Sequence, residues 1–434
     1  MRKLVLFSIL FLTPFYASLA GRLAGGEFHS LAMKEDGTVW GWGWNLAGQL
    51  GDGTTENRHT PVQAIGLNNV ISVSAGGEHS LAVKRDGTAW GWGSDSWGQL
   101  GQGLRDMGFQ NNGVPGVTTP RQVSGLSQVI DVAAGVLHSL FLISDGTVWA
   151  CGGNRYGQLG NGTLNDSSVP VRVVGLSNVV AIASGPEHSL AVENDGTVWA
   201  WGENNTGQLG DGTICGWTET CYSAVPVQAV DLSNVVAIVG RGGSSLALKN
   251  DGTVWNWGGE RGSWFRSQNS ATFNMIPQQS SLSGVIAIHG ANGYSLALTS
   301  YGAVLLWGEL VYGISSQSPA PVNGLSGVTA IAGGDYHALA LKNDGTVWAL
   351  GWNDHGELGD STTTFRSYPV QVQGLSLSAL SVPTSVLAAD FDGDGKADPV
   401  AVDSSGNWFY WHSSQSFSRE GPIELGLSDL SPIA

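Results

Sequence analysis

Five histidines, His29, His79, His138, His188 and His337, each stand seven residues before an Asp-Gly pair, in phrases such as HSLAVENDGTVWAWGENNTGQLGDGT (188–213). Histidine and aspartate in one short phrase are the residue types of general-base catalysis and metal ligation. A second candidate lies near the C-terminus. Asp390, Asp392, Asp394 and Asp398 occupy positions 1, 3, 5 and 9 of a loop with Gly395 at position 6. That spacing gathers carboxylates around one hard cation, and the glycine permits the sharp turn. Position 12 would be Ala401 rather than Glu, so the loop is not an EF-hand. A third candidate is a disulfide between Cys215 and Cys221, which bracket GWTET.

Repetition decides how the first set is read. Asp-Gly recurs at Asp36, Asp86, Asp145, Asp195, Asp251 and Asp344, with a degenerate copy at Tyr301-Gly302. At the histidine position the seven copies carry His29, His79, His138, His188, Ser244, Tyr294 and His337. One strand position, repeated seven times, spreads these side chains round a ring, where they cannot converge on one metal. They are expected to be buried and to tie strand to loop by hydrogen bonds. The loop GQLGDG lacks the Lys-Ser/Thr and following helix of a phosphate cradle. No Ser-His-Asp, paired-carboxylate or Cys-His set stands outside the repeat, so no enzyme is expected; His355, beside Asp354, is expected to be solvated.

The elements that carry these residues are strands. Gly is 64 and Trp 18 of 434 residues, and only 12% are charged, a composition of short aromatic strands joined by turns. SLAVKRDGTAWGWG (80–93) is two apolar runs joined at an Asp-Gly hairpin. A Gly-rich loop follows, then a strand start led by Pro61, Pro120, Pro170, Pro226, Pro321 or Pro369, then a segment like GLxxVxxIxxG. Four short strands per copy of about 50 residues predict an all-β, seven-bladed β-propeller over 21–380. Cutting at the Asp-Gly turn starts the blades at Thr38, Thr88, Thr147, Thr197, Thr253, Ala303 and Thr346. On that cut the last blade lacks a strand, which the N-terminal segment Gly25 to Gly37 is expected to supply, closing the ring.

GWGxNxxGQLGDGT, VxxVxxGxxHSLAV and DGTVWAWG resemble the repeats of the regulator of chromosome condensation family, over about Gly25 to Ser381. The resemblance implies a seven-bladed propeller and, from the founding activity, guanine nucleotide exchange on a small GTPase. A secreted β-lactamase inhibitory protein has a similar propeller, which makes inhibition another implied activity. Beyond a linker at 381–388, residues 389–434 resemble part of an FG-GAP repeat of integrin alpha chains. That resemblance implies Ca²⁺ on the four aspartates and on the backbone carbonyl of Lys396. A single such copy is too small to bury its own core, so it packs on the propeller or begins a longer array.

Residues 1–20 read as a secretory signal peptide: Arg2 and Lys3, an apolar run Leu4 to Leu12, and ASLA before the cut. The apolar run is too short to span a bilayer. A secreted, cell-surface or periplasmic monomer is expected. The formal net charge of −16 argues against nucleic acid as partner. Protein or glycan recognition is expected where copies differ. Extra residues fall between Gly98 and Pro120 and between Gly207 and Pro226, at the same point of the repeat and hence on one face. Phe109, Trp217, Tyr222, Trp44, Trp97 and Trp264 are the candidate aromatic anchors there. Neutral drift of these loops is the competing reading. Copies five and six, with Ser244 and Tyr294 for His, are either specialised or decayed.

Overall fold

The computed structural model describes residues 22–104, 116–214, 221–259, 274–311, 313–377, 400–402, 408–412 and 418–423. The chain divides at Leu377/Ser378. Up to that point the described residues form seven four-stranded antiparallel sheets. Beyond it, Val400–Val402, Trp408–His412 and Ser418–Ile423 form a separate three-stranded antiparallel sheet. Its first two strands pair with Val400 opposite Tyr410. Asp390, Asp392, Asp394, Lys396 and Asp398 lie outside the described residues.

Each blade is one unit of sequence. Blade 1 is Leu23–Gly25, His29–Met33, Val39–Gly43 and Arg58–Gln63, in that spatial order. Blade 7 is Val328–Gly333, His337–Lys342, Thr346–Gly351 and Arg366–Ser376. The second strand is buried at every position in His29–Met33, because neighbouring blades cover both its faces. The fourth strand has no buried position in Arg58–Gln63 or Ser167–Arg172, as expected of an edge. Its proline does not start the strand. Pro61, Pro170 and Pro369 lie inside it, beside register shifts. An edge strand tolerates the missing N–H there.

The Asp-Gly turn lies within a blade and not between blades. Asp36 Oδ1 accepts Thr38 N at 2.9 Å and Thr38 Oγ1 at 2.6 Å, and Gly37 takes φ 74°. The same bonds recur at Asp86, Asp145, Asp195, Asp251 and Asp344. At Tyr301-Gly302 the work passes to Thr299, whose Oγ1 bonds Ala303 O and N at 3.1 Å each.

This phase corrects the expected closure. Blade 7 already holds its own His337–Lys342 strand, and the N-terminal strands pair only within blade 1, Leu23 with Ala32 and His29 with Gly43. The hairpin partner is a few residues away, so pairing it there costs far less chain entropy than pairing with the other end of the chain. The N-terminal segment does meet blade 7, but face to face, with Asp335 N bonded to Gly26 O at 3.3 Å.

The core fills the gaps between blades. Trp42, Trp92, Trp201 and Trp257 are fully buried. Each is set into the preceding blade: Trp92 packs with Leu31, Val39 and Ala64, and Trp201 with Leu140, Val148 and Leu159. In blade 3 the tryptophan is replaced by Cys151, a buried free thiol, and Phe141 stands where the other blades have alanine. Volume lost at one position returns at its diagonal neighbour. Among the described residues no helix is long and apolar enough to cross a membrane.

Candidate functional site

The five histidines form seams between blades. His29 Nε2 lies 2.9 Å from Ser80 Oγ of the next blade, and His79 repeats this with Ser139, His138 with Ser189, His188 with Ser245 and His337 with Ser30. Each serine then donates to a main-chain carbonyl of the preceding blade: Ser80 to Gln49 O at 2.8 Å, Ser139 to Gln99 O at 2.7 Å, Ser30 to Glu357 O at 3.0 Å. The indoles of Trp92, Trp201, Trp257 and Trp42 donate to the same carbonyls as their serines, at 2.8–2.9 Å. Cys151 Sγ takes that place towards Gln99 O at 3.3 Å.

This geometry leaves no nucleophilic serine at the seams. The serine proton is committed to a carbonyl, so Nε2 must carry hydrogen and donate, the opposite of a general base. Nδ1 has no partner in any of the five, and all five rings are fully buried. Burial lowers their pKa to about 3, or about 4 for His188. They are neutral structural links. The expectation of buried histidines holds, but the link runs to the next blade's serine, which in turn holds the loop.

Where histidine is missing, the seam is bridged otherwise. Arg241 Nη1 bonds Ser295 Oγ at 2.8 Å between blades 5 and 6. Tyr294 Oη donates to Gly334 O at 2.9 Å and to His337 O at 2.6 Å between blades 6 and 7, where Ala338 offers no hydroxyl.

The loop GQLGDGT is satisfied internally. Asn45 Nδ2 donates to Thr54 O and Glu56 O at 3.1 and 3.0 Å, and Asn45 Oδ1 accepts Leu50 N at 2.9 Å. Asp52 holds Arg58 at 2.7 Å. The amides of Gly48, Leu50, Gly51, Gly53 and Thr54 are thereby engaged within the protein.

The first strands of the blades line a central cavity of about 590 Å³. Asp131 bonds Ser72 Oγ at 3.0 Å, and burial pushes its carboxyl up to about 6. His289 Nε2 donates to Gly333 O at 2.9 Å, and burial lowers its pKa to about 4. At one mouth burial raises Asp335 to about 6, and burial with the charges of Asp335 and Glu78 raises Glu27 to about 7. Among the described residues no group of His, Cys, Asp and Glu could hold a metal ion.

Strands alternate in direction, so the first-to-second turns and the third-to-fourth loops leave every blade at one end. Trp44, Trp97 and Tyr222 all lie at this loop end, on blades 1, 2 and 4. They do not touch one another. Trp97 and Tyr222 are 42% and 43% exposed, separate points on the rim. Phe109, Trp217, Trp264 and Cys215 lie outside the described residues, and Cys221 is disulfide-bonded. Trp44 belongs instead to a cluster that sequence reasoning missed. Phe28 stacks on Tyr336 at 5.2 Å and meets Trp44 edge-on at 6.0 Å and His355 at 5.8 Å. His355 is therefore half-buried in an aromatic seam between blades 7 and 1, and not solvated as expected. The available signal was positional: Phe28 and Tyr336 both immediately precede the seam histidine, where Glu78, Leu137 and Glu187 stand in other copies.

A family model described as the RCC1-like domain matches residues 16–265 and 107–392. The human E3 ubiquitin-protein ligase HERC2 is 32% identical over 144 residues, 32% of this chain and 3% of that protein. The ultraviolet-B receptor UVR8 of Arabidopsis thaliana is 34% identical over 147 residues, 33% of this chain and 32% of the receptor. The chain thus aligns with only a small part of each of these relatives. Among solved structures, human WBSCR16 superposes with TM-score 0.65 at 24% identity, covering 77% of this chain and 94% of that one. Yeast RCC1 (Prp20) bound to Kap60 gives 0.66 at 20% identity, covering 86% and 89%. At these identities the likeness is one of fold.

Proposed function

Because this chain belongs to the RCC1-like domain family, we propose that it is an exported, non-catalytic binding propeller that presents its loop end to a protein or glycan. One observation carries the reading. The repeated histidines and serines are consumed in holding the seams, while the loop end carries solvent-exposed aromatic departures from the repeat at Trp97 and Tyr222. A solved structure of yeast Prp20p is described together with that protein's binding to Gsp1p and histones, which supports the protein class of partner. The test is capture of partners from culture medium or host surface by the full secreted chain, compared with Trp97→Ala and Tyr222→Ala. Loss of a captured species in either variant is expected. Equal capture by all three proteins would favour loop drift.

The reading includes a disulfide between Cys215 and Cys221 and Ca²⁺ at Asp390, Asp392, Asp394, Lys396 O and Asp398. The hairpin of Val400–Val402 and Trp408–His412 directly after this loop supports the second. Calorimetric titration of the full chain with Ca²⁺ should give binding heat that Asp392→Asn with Asp394→Asn abolishes. No heat from the unaltered chain would remove the calcium site.

A further inference from the structure

The closing seam carries a feature no other seam has. Blades 1 and 7 place aromatic residues at two equivalent positions each: Phe28 and Tyr336 before the histidine, Trp44 and Trp352 after the third strand. In each blade the two positions are tied by the main chain, Trp44 N to Phe28 O at 2.8 Å and Trp352 N to Tyr336 O at 2.9 Å. The ends of the repeat array meet here, so Phe28, Trp44, Tyr336 and His355 form one half-buried cluster, with Trp352 38% exposed beside it.

Carboxylates stand beside the aromatics. Glu27 and Asp335 are the chain neighbours of Phe28 and Tyr336; burial raises the pKa of both, and the charge of Asp335 raises Glu27 further. Asn292 hydrogen-bonds Asp335. Among the described residues neither carboxylate has a cationic partner. Two residues beyond His355, Glu357 is 1% exposed, and its Oε1 has no hydrogen-bond partner while Oε2 accepts His355 N at 2.9 Å. The same position is glutamine in blades 1 to 4. The lysines lie elsewhere: Lys34, Lys84, Lys249 and Lys342 sit over Trp40, Trp90, Trp255 and Trp348 at the Asp-Gly end of their blades. At the loop end of this seam acids stand against aromatics. Negative faces of aromatic rings beside unneutralised carboxylates are complementary to lysine and arginine side chains.

We propose that the loop end of the blade 7/blade 1 seam is a binding site for a basic segment of a partner protein, with Phe28, Trp44 and Tyr336 as its aromatic floor and Glu27 and Asp335 as its counter-charges. This rests on the binding-propeller reading and gives the partner its chemistry. A bound ammonium or guanidinium offsets the burial that raises the two carboxylates, and its alkyl stem covers the rings.

The experiment is calorimetry of the full chain at physiological salt with three synthetic decapeptides: alternating Lys-Gly, the same peptide acetylated on every lysine, and alternating Asp-Gly. The lysine peptide should bind, and acetylation should weaken it at least tenfold. Glu27→Gln with Asp335→Asn should weaken it as much, and Phe28→Ala should do likewise. Asp195→Asn, in an exposed turn at the far end, should leave it unchanged. Thermal melts check that each variant folds, and the near-isosteric Glu27→Gln pair serves if Phe28→Ala does not. No binding of the lysine peptide, or equal binding of its acetylated form, overturns the proposal. So does equal loss in Asp195→Asn, which marks net charge alone. If native partner capture falls with Tyr222→Ala but not with the seam variants, the binding reading stands and this site falls.

Discussion

A serine oxygen 2.9 Å from a histidine nitrogen is ambiguous until the serine proton is placed, and here a main-chain carbonyl places it. The ring must also fit. The glycine three residues before each histidine, as at Gly135 and Gly185, lies so close to the imidazole that a Cβ would enter His138 or His188. Blades 5 and 6 lack the histidine and lack the glycine too, carrying Arg241 and Ala291. Gly135→Ala should therefore cost about 1–3 kcal/mol, His138→Ser a similar amount, and the double variant less than their sum. Denaturant unfolding of the four proteins measures the coupling, and strict additivity would deny the contact. Protonation follows the same burial. The folded state refuses protons that an unfolded histidine accepts below about 6.5, so stability from these rings is lost as pH falls from there towards 3. His138→Gln should lose less stability than the parent between pH 7 and pH 5. Glu357 has the opposite sign: with its folded pKa raised to about 7, its cost grows as pH rises through that value. Glu357→Gln should stabilise at pH 8 and change little at pH 5.

Blades 3, 5 and 6 show that the repeat tolerates loss of its signature residues when the partner changes with them. In blade 3, Cys151 replaces tryptophan and Phe141 replaces alanine within one cluster with Leu81, Val83 and Val132. In the seam between blades 6 and 7, Tyr294 replaces histidine, Ala338 replaces serine and Leu350 replaces tryptophan, all within one other cluster. The question of specialisation or decay is thereby sharpened: the seams of the irregular blades are repaired rather than eroded. Sequence spacing alone did not show this, because the compensating residues lie on different strands or blades. Phe141→Ala should cost about 3–5 kcal/mol, and Cys151→Trp alone should be destabilising by overpacking. Together they restore the pair found in blades 2 and 4, and the double variant should recover most of the loss. A double variant as unstable as the sum of the singles would show that blade 3 has adapted beyond this pair.

The number of blades was legible because a seven-fold repeat at one offset has only one count, but its phase was not. An Asp-Gly hairpin reads the same whether it lies inside a blade or between two, and only the observed pairing of His29 with Gly43 decides. The aromatic seam was illegible for a related reason, since Phe28 and Tyr336 are adjacent only once the ring has closed. With each blade complete in itself, closure rests on the same kind of links as the other histidine seams: His337 to Ser30 at 2.7 Å, then Ser30 and Trp42 to Glu357 O. If these links make the closing seam equivalent to an internal one, removing its serine must cost what removing an internal serine costs. Ser30→Ala and Ser139→Ala each strand a buried histidine N–H and remove one of two donors to a carbonyl, a loss of about 1–3 kcal/mol. Equilibrium unfolding should give matching values and a single transition for both. A markedly smaller cost for Ser30→Ala, or a second transition in that variant, would mean that the ring is strained at its seam and held shut mainly by the apolar faces of blades 7 and 1.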